Sequence, residues 1–196
     1  MALTRLGPNN STNISGINLT SQVTGTLPVA NGGTALTSGF VNGVSQGFSS
    51  VYMTSDTAIS GTSHIQPSEG MGIYNAGAAG TGIVTDTTDG NIQLDKTGFY
   101  LVVFQVTGNS TSSNDEWNPY IATYNGSSES NRAYGYVHVE NGSRPDSFTT
   151  TIHAIVDVDN TSNVKFRMKY AGASNITLYG TGQSVTSMSF LRIGDT

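Results

Sequence analysis

From residue 46 onward the chain repeats one pattern: short segments in which apolar and polar side chains alternate, separated by turn residues. No stretch sustains a helical period. A period of two belongs to a strand with one face buried. The pattern predicts strands at Ser49–Met53, Gly70–Tyr74, Gly90–Leu94, Gly98–Thr107, Trp117–Tyr124, Ala133–Glu140, Ser147–Val158, Asn163–Tyr170, Asn175–Gly180 and Val185–Ile193. Asn125-Gly126, Asn141-Gly142, Arg144-Pro145-Asp146 and Asp159-Asn160 supply the turns. Composition agrees, because Gly, Ser, Thr and Asn fill nearly half of the 196 positions and charged residues only 11%. Such residues serve helices poorly and turns and pleated strands well. With strands this short and this closely spaced, the economical fold is all-β: two antiparallel sheets packed face to face.

Residues 1 to 45 read differently. They carry apolar residues at Leu3, Leu6, Ile14, Ile17, Leu19, Val23, Leu27 and Val29, with Arg5 and Pro28 among them, but no aromatic side chain before Phe40. A segment without bulky groups cannot build a core, so it is expected to be an extended arm ordered by another surface or by its symmetry mates. The division is therefore an arm at 1–45 and a folded domain at 46–196. A net charge of −5 with eight scattered Lys and Arg offers no basic stripe for nucleic-acid phosphates or anionic lipid. No apolar run approaches the roughly 20 residues of a membrane helix, and Met1–Pro8 does not read as a secretory leader. Neither nucleic acid nor membrane is expected as a partner. Without cysteine, stability must come from packing or oligomerisation.

Within the arm, Val23-Thr24-Gly25-Thr26-Leu27-Pro28-Val29-Ala30-Asn31-Gly32-Gly33-Thr34-Ala35-Leu36 resembles the "TGTLPVANGGTG" motif of phage fibre and other virion-surface proteins, with Ala35 where Gly is usual. Pro28 fixes φ, and Asn31-Gly32-Gly33 tolerates positive φ, so the motif reads as strand, sharp turn, strand. The resemblance implies a protein of a bacteriophage virion surface, made in a host bacterial cytoplasm.

A second resemblance lies in the domain. Ile92 to Val106, with Gly98-Phe99-Tyr100-Leu101 at its centre, is similar to the "PGxYxFxxxV" strand of the tumour-necrosis-factor-like jelly rolls, which include the globular heads of complement's first component. Thr150–Val158, Val164–Tyr170 and Ser184–Ile193 follow in the order of that family's last strands. Thr97 replaces the usual Pro, Met188-Ser189 the usual Ser-Gly, and Asp159-Asn160-Thr161 the usual "KGD" turn. What this resemblance implies is a bell-shaped homotrimer with aromatic residues on the threefold axis, and trimer or core roles for Tyr100, Val102, Phe104 and Phe190. The residues themselves are compatible with it. Phe99, Leu101 and Val103 point one way along this strand and Tyr100, Val102, Phe104 and Val106 the other, so both faces are apolar. One face needs a second cover, either a neighbouring subunit or another part of the same chain.

Site chemistry is sparse. His64, His138 and His153 lack metal-ligand spacing, the G-x-S-x-G run Gly43–Gly47 is followed by no helical period that would make a strand-to-helix elbow, and Gly70–Gly82 has no Lys-Ser/Thr to form a phosphate loop. No cofactor and no enzymatic activity are expected. Asp157 and Asp159, followed by Asn160, form either a weak calcium site or solvated strand-end charges. Trp117, Tyr120, Tyr124, Tyr134 and Tyr136, interleaved with Asn, Ser and Gly, form either a glycan-stacking surface or core and interface packing. The expected function is a trimeric capsid decoration, cement or head-fibre protein whose arm holds the major capsid protein or another virion protein. The alternative is a tail-fibre tip that recognises host surface glycan, for which 45 residues make a short stalk. A secreted cytokine-like or lectin-like module ranks below both.

Overall fold

The computed structural model describes residues 48–66, 70–76, 83–86, 89–111, 115–139, 146–181 and 185–194. All lie within the compact unit Val44–Thr196. The arm residues named above, Leu3 to Val29, fall outside the described residues, as do Asn141-Gly142 and Arg144-Pro145.

The described chain is built of strands: β1 (Phe48–Met53), β2 (Thr57–His64), β3 (Met71–Ala76), β4 (Ile83–Asp86), β5 (Asn91–Leu94), β6 (Gly98–Ser110), β7 (Asp115–Tyr124), β8 (Glu129–Tyr134), β9 (Val137–Val139), β10 (Asp146–Val158), β11 (Lys165–Leu178) and β12 (Ser187–Gly194). No helix occurs among the described residues. Every pairing is antiparallel. One side of the fold runs β3-β1-β12-β6-β10. The other is centred on β11, which pairs with β5 and β2 along one edge and with β7 along the other, and β7 continues to β8 and β9. The two sides are not separate sheets. The last residues of β11 pair with the end of β6, Ile176 opposite Ser110 and Leu178 opposite Gly108, so a single sheet curls round on itself.

Alternation decides what fills the curl. Along β6 the even positions Tyr100, Val102, Phe104 and Val106 are buried while Leu101, Val103 and Gln105 are only partly covered. Along β11, Phe166, Met168, Tyr170, Ile176 and Leu178 are buried. The rings of Phe166 from β11 and Phe190 from β12 meet edge-on, centroids 5.0 Å apart, which ties the two sides through the middle of the core. At roughly 25 cal/mol per Å2 of buried apolar area, this inward set is the main source of stability.

Three differences from the sequence reading have local causes. Asn163–Tyr170 and Asn175–Gly180 belong to one strand: Gly172 (φ 73°) and Asn175 (φ 52°) take left-handed conformations within it, and the register to β2 slips at two places, so the strand bends instead of stopping. Ala133–Glu140 is instead divided between β8 and β9 at Gly135, whose N–H donates to the Pro119 carbonyl. β2 and β4 were not anticipated. In β2 only Ile59 is buried, so its sequence carries almost no alternation. The Asn125-Gly126 and Asp159-Asn160 turns are as expected. Asn125 Oδ1 accepts the N–H groups of Ser127 and Ser128, Asn160 Oδ1 those of Ser162 and Asn163, and Gly126 has φ 99°.

Candidate functional site

Two outward surfaces concentrate side chains that the fold does not bury. The first lies on β1, β12, β6 and β10. Cross-strand register places Phe48 opposite Leu191, Leu191 opposite Leu101, and Leu101 opposite Ile155, one apolar row across four strands. Ile155 is 67% exposed and Phe48 40%, while Leu191 and Leu101 are partly covered. Phe99, one row along β6, and Ile193 on β12 are exposed beside it. Val103 extends the face next to His153 and Ser189. In the described structure Tyr100, Val102, Phe104 and Phe190 all lie in the interior of the chain, at most 2% exposed. The surface left for a partner is therefore the opposite set of the same strands. Tyr100 also donates its hydroxyl to the Lys96 carbonyl, and burial pushes its phenol above the ordinary range. Arg192, likewise buried, donates Nε to the carbonyl of Thr97, the residue that stands where Pro is usual.

The second surface is the outer face of β7, β8 and β11. Lys165, Arg167 and Lys169 alternate with buried Phe166, Met168 and Tyr170 and so point outward together. The Arg167 guanidinium lies 3.7 Å from the centre of the Tyr124 ring, and its Nε donates to Asn91 Oδ1 at 2.7 Å. Glu129 receives Arg167 Nη1 at 3.3 Å and also the Lys169 ammonium. Partial burial pushes the Glu129 carboxyl upward, but the bonds and charges of Lys169 and Arg167 outweigh it and hold the group below its ordinary range. Tyr120 and Tyr134 face each other across β7 and β8, ring centroids 5.7 Å apart, and Tyr134 is 68% exposed.

The five aromatic candidates are thus divided. Tyr120, Tyr124, Tyr134 and Tyr136 reach the surface, but Trp117 does not. Trp117 is 1% exposed and packs edge-on against Phe148 at 5.3 Å, so it cannot stack on a glycan. On a strand, Trp117 and Tyr120 stand three apart and must point to opposite faces. Asp157 and Asp159 are exposed at the end of β10, and among the described residues no three acidic or histidine side chains converge as a metal site. The histidines are dispersed: His153 on the outer face of β10, His138 with Nδ1 3.3 Å from Glu116, and His64 partly buried beside Asp89. Sequence reasoning did not single out Phe48, Ile155, Leu191, Lys165, Arg167, Lys169 or Glu129. The alternation in Lys165-Phe166-Arg167-Met168-Lys169 was the available signal for the cations.

The chain superposes on solved structures over about three quarters of its length. Eiger TNF from S. frugiperda superposes with a TM-score of 0.58, covering 77% of this chain and 95% of its own, at 9% identity. Murine APRIL at pH 8.5 superposes with a TM-score of 0.53, covering 76% and 99%, at 10% identity. The fold is a tumour-necrosis-factor-like jelly roll. At these identities the likeness of the jelly roll to Eiger and APRIL concerns the fold alone. No protein-family model matches the chain, and no curated protein sequence does either. In the jelly roll, the apolar row lies on the outer side of the β1-β12-β6-β10 layer, and the Lys-Arg-Lys stripe on the outer side of the β11 layer.

Proposed function

We propose that the protein is a non-catalytic structural component of a bacteriophage particle: a homotrimeric capsid decoration, cement or head-fibre protein displayed on the virion surface. The observation that carries the association is the outward row Phe48, Leu191, Leu101 and Ile155. A solvated sheet face is ordinarily polar, and a contiguous apolar one gains about 25 cal/mol for each Å2 it buries against a second copy. The trimer is the assembly implied by the family that the Gly98–Val106 strand resembles. The virion setting rests on the motif at Val23–Leu36, and the arm at 1–45 is assigned to hold the major capsid protein or another virion protein.

Deleting residues 2–36 tests the reading. The truncated protein stays trimeric and no longer binds empty heads. Truncated protein that still binds heads, or full-length protein that binds none, contradicts the assignment of the arm. Copy number per particle then separates shell from tail, since hundreds of copies mean a decoration protein and a handful of trimers a fibre.

The second reading, a receptor-binding fibre tip, is favoured by the exposed ring of Tyr134 next to Tyr120 and by the exposed Tyr136. On that reading Tyr134→Ala abolishes adsorption to cells while particles remain complete.

A further inference from the structure

The cations of this acidic chain are few and unevenly placed. Of eight Lys and Arg, three stand at alternate positions of one strand and on one face: Lys165, Arg167 and Lys169. Alternate strand positions lie roughly 6.6 Å apart, so the stripe runs about 13 Å. Among the described residues, one carboxylate, Glu129, forms ion pairs with the stripe, touching Arg167 and Lys169. Three cations therefore face one acid in a molecule of net charge −5.

Register sets aromatic rings beside the charges. Lys165 stands opposite Tyr124 and Lys169 opposite Tyr120, with Tyr134 one strand further out. The Arg167 guanidinium already lies on the Tyr124 ring, and the Lys169 ammonium is 5.6 Å from the centre of the Tyr120 ring. Tyr134, 68% exposed, presents ring surface to solvent. Rings of this kind offer apolar area for the C–H face of a sugar, amide and carboxylate oxygens accept its hydroxyls, and a guanidinium or ammonium pairs with its carboxylates. Glu129 among the cations suits a ligand that carries hydroxyl donors as well as negative charge.

We propose that the outer face of β7, β8 and β11 binds an acidic polysaccharide, with Lys165 contacting its carboxylates, Arg167 and Lys169 adding positive charge from beside Glu129, and Tyr134 stacking on its sugar. This surface is distinct from the apolar row, so its failure leaves the trimer untouched and failure of the trimer leaves it standing. Titration of the full chain with polygalacturonate, neutral dextran, heparin and single-stranded DNA tests it. Polygalacturonate binds at about 0.15 M NaCl and weakens at least tenfold near 1 M, where the screening length falls from about 8 Å to 3 Å. Dextran does not bind. Lys165→Gln and Tyr134→Ala each lower the affinity about tenfold, with circular dichroism and melting temperature unchanged because both side chains reach the surface. Dextran binding as well as polygalacturonate, no binding to polygalacturonate, variants that bind like the parent, or tighter binding to heparin or DNA would each overturn the proposal.

Discussion

Trp117 and Tyr134 show how much a single position on a strand decides. Both belong to the aromatic-rich stretch that invites a binding-site reading, yet Trp117 is sealed against Phe148 and Tyr134 stands in solvent. Trp117→Ala should cost about 3–5 kcal/mol in urea unfolding, as deletion of a buried large side chain does. Tyr134→Ala should stay within about 0.5 kcal/mol. Equal costs for the two would contradict the burial assigned to each. The division was legible in period two, since Trp117, Pro119 and Ile121 share one face and Tyr120 and Tyr124 the other. Which face is inward was not legible, because both carry apolar and polar residues. Glu129 gives a pH test. Its folded carboxyl titrates below its ordinary value of 4.5. The stabilisation it contributes is therefore present above that value and lost as pH falls through the depressed folded one. Glu129→Gln should remove that part of the acid dependence, with a loss near neutrality of about 1–3 kcal/mol for a mostly covered carboxylate hydrogen-bonded by two cations. An unchanged slope of unfolding free energy below pH 5 would mean that Lys169 and Arg167 do not hold the carboxylate.

β6 and β11 show what an element's sequence reveals and what it conceals. The double apolar parity of Gly98–Val106 was readable and is visible in the structure as one buried set and one partly exposed set. The continuity of β11 was not, because Gly172 and Asn175 are turn residues in sequence and bulge residues in the fold. β2 and β8 are mostly exposed strands, and without a buried face there is no periodic signal to read. The corner where β6 meets β11 depends on Gly108. A Cβ there would run into the Thr177 carbonyl oxygen and come within 2.9 Å of the Phe148 ring. Gly108→Val should therefore destabilise by about 1–3 kcal/mol or more, the range of an overpacked core, as measured by thermal unfolding. A neutral result would show that the two strands are not held at backbone contact.

For the molecule as a whole, the physics turns on a layer whose outer side is oily. The inward set, Tyr100, Val102, Phe104 and Phe190, is consumed by the chain's own core, so the proposed trimer must use Phe48, Leu101, Ile155 and Leu191. A stable interface of standard size removes roughly 800 Å2 per partner from water, more than one row supplies, so the flanking Phe99, Ile193 and Val103 must take part. The all-β architecture and the jelly roll were legible from alternation, turns and the Gly98–Val106 strand. Of the face proposed for association, Phe99, Leu101 and Val103 were legible as one side of their strand, but Phe48 and Ile155 were not, because they sit in strands whose outward neighbours are mostly polar. Sedimentation equilibrium of the full chain at micromolar concentration, alongside Ile155→Asp, measures the central claim most directly. The account predicts a species of three times 20.5 kDa for the parent chain, and dissociation of the variant with its circular dichroism intact. A parent chain that sediments at 20.5 kDa, or a variant that stays associated like the parent, would contradict it.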